Sequence, residues 1–292
     1  MAVASFTLDT IAGCPMGGAK DQFCIGTWGD LAERFDAVPD TSNTRRNCTA
    51  ENAWSGKLSY SEALRMTREG DLSRVPESDK LLSRYETLHA PRGAWQVMDD
   101  VAGGVPNVQA FLAGHPLTMR RRARVTKETA PLTIAVDLVS SGSINSAALV
   151  RRGVAILALV RALSATRPVE LWAGGSATPL GHRVACHAWG RIDTAPLDLA
   201  RAAHIMTHTA VSRGLLYATL SDMVGSKGGD LKWPYADHTW SRKNGRAVLS
   251  RAFGSDDMLY IAAPHEDDEI IGDPEGWIDR AIKLYGGLDN EA

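Results

Sequence analysis

The sequence lacks nearly every short motif that would assign it a chemistry. Gly-x-Ser-x-Gly, the phosphate-cradling Gly-x-x-x-x-Gly-Lys-Ser/Thr loop and His-Glu-x-x-His are all absent, so the common hydrolase, nucleotidase and zincin signatures fail. Cys14, Cys24, Cys48 and Cys186 are spread without a Cys-x-x-Cys pair, which argues against a disulfide framework or a zinc ribbon and for ordinary reduced thiols. The longest uninterrupted apolar run, 153–160, is far shorter than the roughly 20 residues that span a bilayer. The opening MAVASFTLDTIAGC has neither a basic start nor a continuous apolar core, so the cytoplasm is the expected compartment. A net charge of only −2 argues against a chain built as a whole to coat nucleic acid or an anionic membrane, and leaves local basic patches open.

What is present is a globular composition, 44% hydrophobic and 23% charged over 292 residues, enough for one large α/β domain or one domain with an added N-terminal piece. The most informative stretch is 131–175, PLTIAVDLVSSGSINSAALVRRGVAILALVRALSATRPVELWAGG. An apolar run ends in Asp137, the loop Ser140-Ser141-Gly142-Ser143 breaks it, helix formers follow, and Arg167-Pro168 stops them before a second apolar run. That order is a βαβ unit, with a polar loop where open α/β sheets bind ligands.

Elsewhere, 59–70 predicts a short helix, with Tyr60, Leu64 and Thr67 at helical spacing, and Pro76 opens another. A brief helix is expected over 107–113, a junction near 115–130, a strand over 182–192, helices over 197–208 and 210–224, and a polar loop over 225–245. A strand over 258–263, an acidic loop over 264–273 and a helix over 274–285 complete the chain. Residues 1–57 hold many turn formers, but Trp28 and Trp54 are too large and apolar to be left wet. The expectation is an α/β fold, a three-layer sheet with helices on both faces at 130–292, and an irregular α+β N-terminal region at 1–129 packed on it.

In such a sheet ligands gather at the C-terminal ends of the parallel strands. Asp137 ends one strand and His265-Glu266-Asp267-Asp268-Glu269 follows another. If the strands are neighbours the loops converge, and carboxylates with serine hydroxyls suit Mg²⁺ or Mn²⁺. The candidate metal set is Asp137, Ser141, Ser143, Glu266 and Asp267. Asp137 capping its own turn, and the acidic loop favouring the helix behind it, are the structural alternatives.

A strand ending in Asp, a serine-bearing loop, a helix and a strand resemble the start of a von Willebrand factor A domain, whose metal-ion-dependent adhesion site opens Asp-x-Ser-x-Ser. Asp137 and Ser141 match, and Val139 stands where that pattern has its first serine. The resemblance covers roughly 130–285. It implies a von Willebrand A-like or Rossmann-like sheet, a divalent ion at the edge, and binding or assembly more than catalysis. As a whole the chain also resembles a phage or mobile-element protein, which implies the host cytoplasm.

Two basic segments stand apart. Arg120, Arg121, Arg122 and Arg124 form the densest run, read either as phosphate contacts or as a solvated linker. Between 227 and 246, Lys232, Arg242 and Lys243 are interleaved with Trp233, Tyr235 and Trp240, a mixture that suits single-stranded bases or a protein partner. His204 and His208 share a helix face at i, i+4, a zinc-compatible spacing with no further ligand evident. Three function classes stay open, with the reading leaning away from an enzyme. They are a non-catalytic binding or assembly protein engaging a macromolecular partner through the sheet edge, a single-stranded nucleic-acid binder, and a divalent-metal-dependent hydrolase.

Overall fold

The six residues Leu132–Asp137 are all buried, which requires a strand covered on both faces. The computed structural model describes residues 4–9, 20–71, 94–102, 104–125, 131–140, 142–177, 185–225 and 238–286. Its strands are β1 (Ala4–Asp9), β2 (Lys20–Thr27), β3 (Ala94–Asp100), β4 (Val105–Pro106), β5 (Met119–Val125), β6 (Leu132–Asp137), β7 (Val169–Ala177), β8 (Cys186–Ile192) and β9 (Met258–Ile261). Its helices are α1 (Trp28–Asp36), α2 (Asn43–Asn47), α3 (Tyr60–Glu69), α4 (Val108–Leu112), α5 (Ser146–Ser164), α6 (Leu199–Thr207), a π-helical segment Ala210–Leu216 running into α7 (Tyr217–Gly225), α8 (His238–Phe253), α9 (Glu269–Gly272) and α10 (Pro274–Tyr285).

The chain divides into two compact units, 1–88 with 130–292, and 89–129. In the larger unit a six-stranded mixed sheet runs β1-β2-β8-β7-β6-β9. β6 is parallel to both β7 and β9, β2 is parallel to β8, and β1–β2 and β7–β8 are antiparallel. Side chains alternate across it as the pleat demands. Ile134, Leu171, Ala188 and Ile261 join α1, α5, α6 and α10 in one apolar cluster, while Ala135, Trp189 and Met258 join Val248 and Leu249 of α8 in another. Helices therefore cover both faces, and the mixed α/β expectation holds. β1 and β2, from the N-terminal region, are strands of this same sheet, and Trp28 is buried against it.

α5 is apolar nearly all round, with residues from Leu149 to Leu163 almost continuously buried, as a helix enclosed by other elements must be. Asn145 caps it by accepting the Ala148 N–H at 2.8 Å. Gly153 sits where α5 meets the end of α6: a Cβ there would lie 2.4 Å from the Met206 carbonyl oxygen.

The smaller unit is a three-stranded antiparallel sheet, β3-β5-β4, with α4 between β4 and β5. The basic run 120–124, open to a linker reading from sequence, is part of β5, and Arg120 lies 3.4 Å from Asp99. One other expectation is corrected. The loop expected over 225–245 is helical from His238 onward, because Val248, Leu249 and Phe253 anchor α8 on the sheet and the helix propagates back from them. The strand expected over 182–192 is described from Cys186. The helix opening at Pro76 lies outside the described residues.

The Gly153 contact yields a direct test. Gly153→Val forces a branched side chain against backbone, and overpacking of this kind costs about 1–3 kcal/mol. The expected result is a lower urea midpoint at an unchanged m-value.

Candidate functional site

β6 and β9 are hydrogen-bonded neighbours, so the loops after Asp137 and after Ile261 do meet at one edge of the sheet. The group that joins them is Arg152, on the second turn of α5 and only 3% exposed. Its guanidinium donates to the Asp137 carbonyl at 3.3 Å, the Ala262 carbonyl at 2.6 Å and the Asp268 carboxylate at 2.9 Å. Burial works against the arginine charge, and Asp268 beside it offsets that penalty. Asp268 also accepts the Ile270 N–H at 2.9 Å, capping α9.

The Asp137 side chain is buried and turns back on its own loop, accepting from the Val139 N–H at 3.1 Å and from the Tyr260 hydroxyl at 3.3 Å. It is the Asx-type turn that the sequence left open as an alternative. A second buried arginine, Arg213 of the π-helical segment, holds the loop from the other side. It donates to the Ile144 carbonyl at 2.6 Å, Ser140 Oγ at 3.3 Å and the Trp54 carbonyl at 3.3 Å.

The acidic loop spends its charge on cations of the protein itself. Asp267 takes a two-pronged contact from Arg242 at 2.6 and 3.2 Å and lies 2.7 Å from His265 Nδ1. Arg242 first, then His265, holds its carboxyl well below the usual range. Glu266 and Ser143 are exposed, and Ser141 lies outside the described residues. Among the described residues no three His, Cys, Asp or Glu side chains cluster to hold a metal. Val139, fully buried, offers no oxygen at the serine position. This donor set fits a divalent ion poorly, because an ion would have to displace Arg242 from Asp267 or Arg152 from Asp268.

Of the second candidate surface, Arg242 and Lys243 are exposed on α8 and Trp240 is on the same helix, while Lys232, Trp233 and Tyr235 lie outside the described residues. Arg120, Arg121, Arg122 and Arg124 belong to the smaller unit. His204 and His208 do come together, their rings stacked at 5.1 Å.

Sequence reasoning missed the two arginines and a buried polar row across three strands. His187 of β8 is 0% exposed, stacks on Phe23 at 4.4 Å, pairs through Nδ1 with Ser176 Oγ at 2.8 Å, and has Asp21 3.8 Å from Nε2. The available signal for Arg152 was its place, beside Arg151, at the start of the longest apolar run in the chain. No comparable signal marks His187, whose partners lie 11 and 166 residues away in sequence.

Two outcomes follow. Arg152→Met leaves Asp268 buried without its cation and is expected to cost about 3–5 kcal/mol; adding Asp268→Asn recovers part of it, as a double-mutant cycle in urea reads out. Burial lowers the His187 pKa below its ordinary 6.5, so the native state refuses a proton that the unfolded chain accepts. Stability is therefore full above about pH 6.5 and declines as pH falls below it. Unfolding free energies at about pH 7.5 and about pH 5.5 should show that loss in the wild type and a smaller one in His187→Gln.

Residues 19–269 match the family described as "Domain of unknown function (DUF7192)". No curated protein and no solved structure matches the chain. The match takes in β6, α5, β7, β8 and β9 and both edge loops, and by it the chain belongs to the DUF7192 family.

Proposed function

We propose that this chain is a non-catalytic binding or assembly protein that holds an extended segment of a protein partner along β9. The observation that carries this reading is a groove of about 250 Å³ beside that strand, lined by Leu259, Tyr260 and Ala262 with Arg242 of α8 and Trp277 of α10. β9 ends the sheet, and among the described residues its one strand partner is β6. An end strand offers a row of backbone donors and acceptors to an added strand, and neighbouring pockets select side chains. Aromatic and arginine anchors, Tyr260, Trp277 and Arg242, are the residue types that dominate such contacts.

The von Willebrand A-like reading supports the same conclusion. Asp at the end of β6, a serine-bearing loop, α5 and the parallel β7 follow in the order that the resemblance implies. In this reading the edge works by protein contact, since Asp137, Asp267 and Asp268 are already engaged by arginine and backbone.

The test is selection of a displayed peptide library on the folded protein, followed by amide exchange. Selected peptides are expected to slow exchange across 258–263 and to bind Arg242→Glu or Trp277→Leu at least about tenfold more weakly, roughly 1.4 kcal/mol. Peptides that protect a different surface, or no enrichment at all, would refute the proposal.

A further inference from the structure

A second cavity, about 620 Å³, shares no lining residue with the groove at β9. Its polar lining is Lys57, Arg151, His208, Ser146, Thr207 and Thr209, and no carboxylate contributes to it. A cavity of this size is in the range that holds small-molecule ligands. Elsewhere surface cations pair with acids, Arg242 with Asp267 and Arg65 with Glu69. Here two cations face one space, and neither is in an ion pair among the described residues. Arg151 donates at 3.3 Å to the Ile271 carbonyl, a neutral acceptor.

The backbone beneath Lys57 is the second observation. Gly56 and Lys57 both have left-handed φ, +81° and +59°. Glycine is required at 56, where a Cβ would lie 2.3 Å from Thr209 Oγ1 and 2.8 Å from His208 Cε1. Lysine at 57 has no such excuse: a long side chain in that conformation is strained, and strain of this kind collects at ligand sites. It aims a cation at the cavity from a turn packed directly on His208. His208 Nδ1 accepts the Ala210 N–H at 3.1 Å, which assigns the ring proton to Nε2 and makes that atom a donor.

The third contribution is α5 itself. Ser146 and Ala147, the first two residues of a helix 19 residues long, line the cavity, and the helix has no acid in its first turn. The cavity therefore runs along the first turns of this helix, beside the positive end of its dipole. Val150 and Val154 supply an apolar wall.

We infer that this cavity binds a small phosphate monoester, its phosphate held by Lys57 and Arg151 and its organic part against Val150 and Val154. An isolated inorganic anion would use only the first half of the site. A monoester uses both.

The experiment is calorimetric titration of the full chain with AMP, glucose 6-phosphate, inorganic phosphate and adenosine. Saturable binding is expected for at least one monoester, tighter than for inorganic phosphate, and none for adenosine. Lys57→Gly accepts the left-handed backbone without strain, so its thermal midpoint should equal or exceed that of the wild type while affinity falls at least about tenfold, as should that of Arg151→Ala. Lys243→Ala, on α8, should bind as the wild type does. No saturable binding by either monoester, or binding that Lys57→Gly and Arg151→Ala leave unchanged, would overturn the inference.

Discussion

One buried guanidinium organises the edge on which the rest of this structure depends. Arg152 leaves α5 and reaches the last carbonyl of β6, the carbonyl just beyond β9 and the carboxylate of Asp268 at once. Two adjacent parallel strands and the helix that crosses them are thereby held at fixed spacing by one side chain. The interaction is strong because the charge is desolvated and its hydrogen bonds to carboxylate and carbonyls are charge-assisted. It is also exacting, since a buried charge with a partner removed is worse than no charge at all. Arg213 repeats the device on the other side of the serine-bearing loop, with Trp54 packed beneath its guanidinium.

The consequence is an edge on which Asp137, Asp267 and Asp268 all have partners within the protein. Asp137 closes a turn, Asp268 caps a helix and answers Arg152, and Asp267 answers Arg242. What this arrangement leaves for partners is shape: the groove along β9 and, at the start of α5, a cationic cavity. Close backbone approaches build both. Gly245 lets the Tyr260 ring lie on α8, where a Cβ would come within 2.3 Å of it, and Gly56 lets its turn lie on His208 and Thr209.

Much of the architecture was legible from residue order. The run 131–175 reads as strand, loop, helix and strand because its apolar periodicity changes from continuous to helical and back, with Asn145 and Pro168 at the helix boundaries. α3 and α10 were equally plain, with Ser59 capping the first and Pro274 opening the second. α8 was not, because the polar, glycine-containing stretch 225–245 reads as loop, whereas at Gly245 the absent side chain serves packing against Tyr260. The chemistry of the edge was not legible for a related reason: a carboxylate looks alike in sequence whether it binds a metal, caps a turn or answers an arginine.

By itself the sequence determined the βαβ order of 131–175, several of the helices and the serine-bearing loop that follows Asp137, since these follow from local periodicity, capping and turn chemistry. Only the tertiary structure decided what those residues do. It set β9 beside β6, sent Arg152 and Arg213 inward, placed Ser176 and Asp21 around His187, and gathered Lys57, Arg151 and His208 around one cavity. Each of those outcomes joins residues far apart in the chain, and in the interior a charge or hydroxyl takes its role from the partner it meets there.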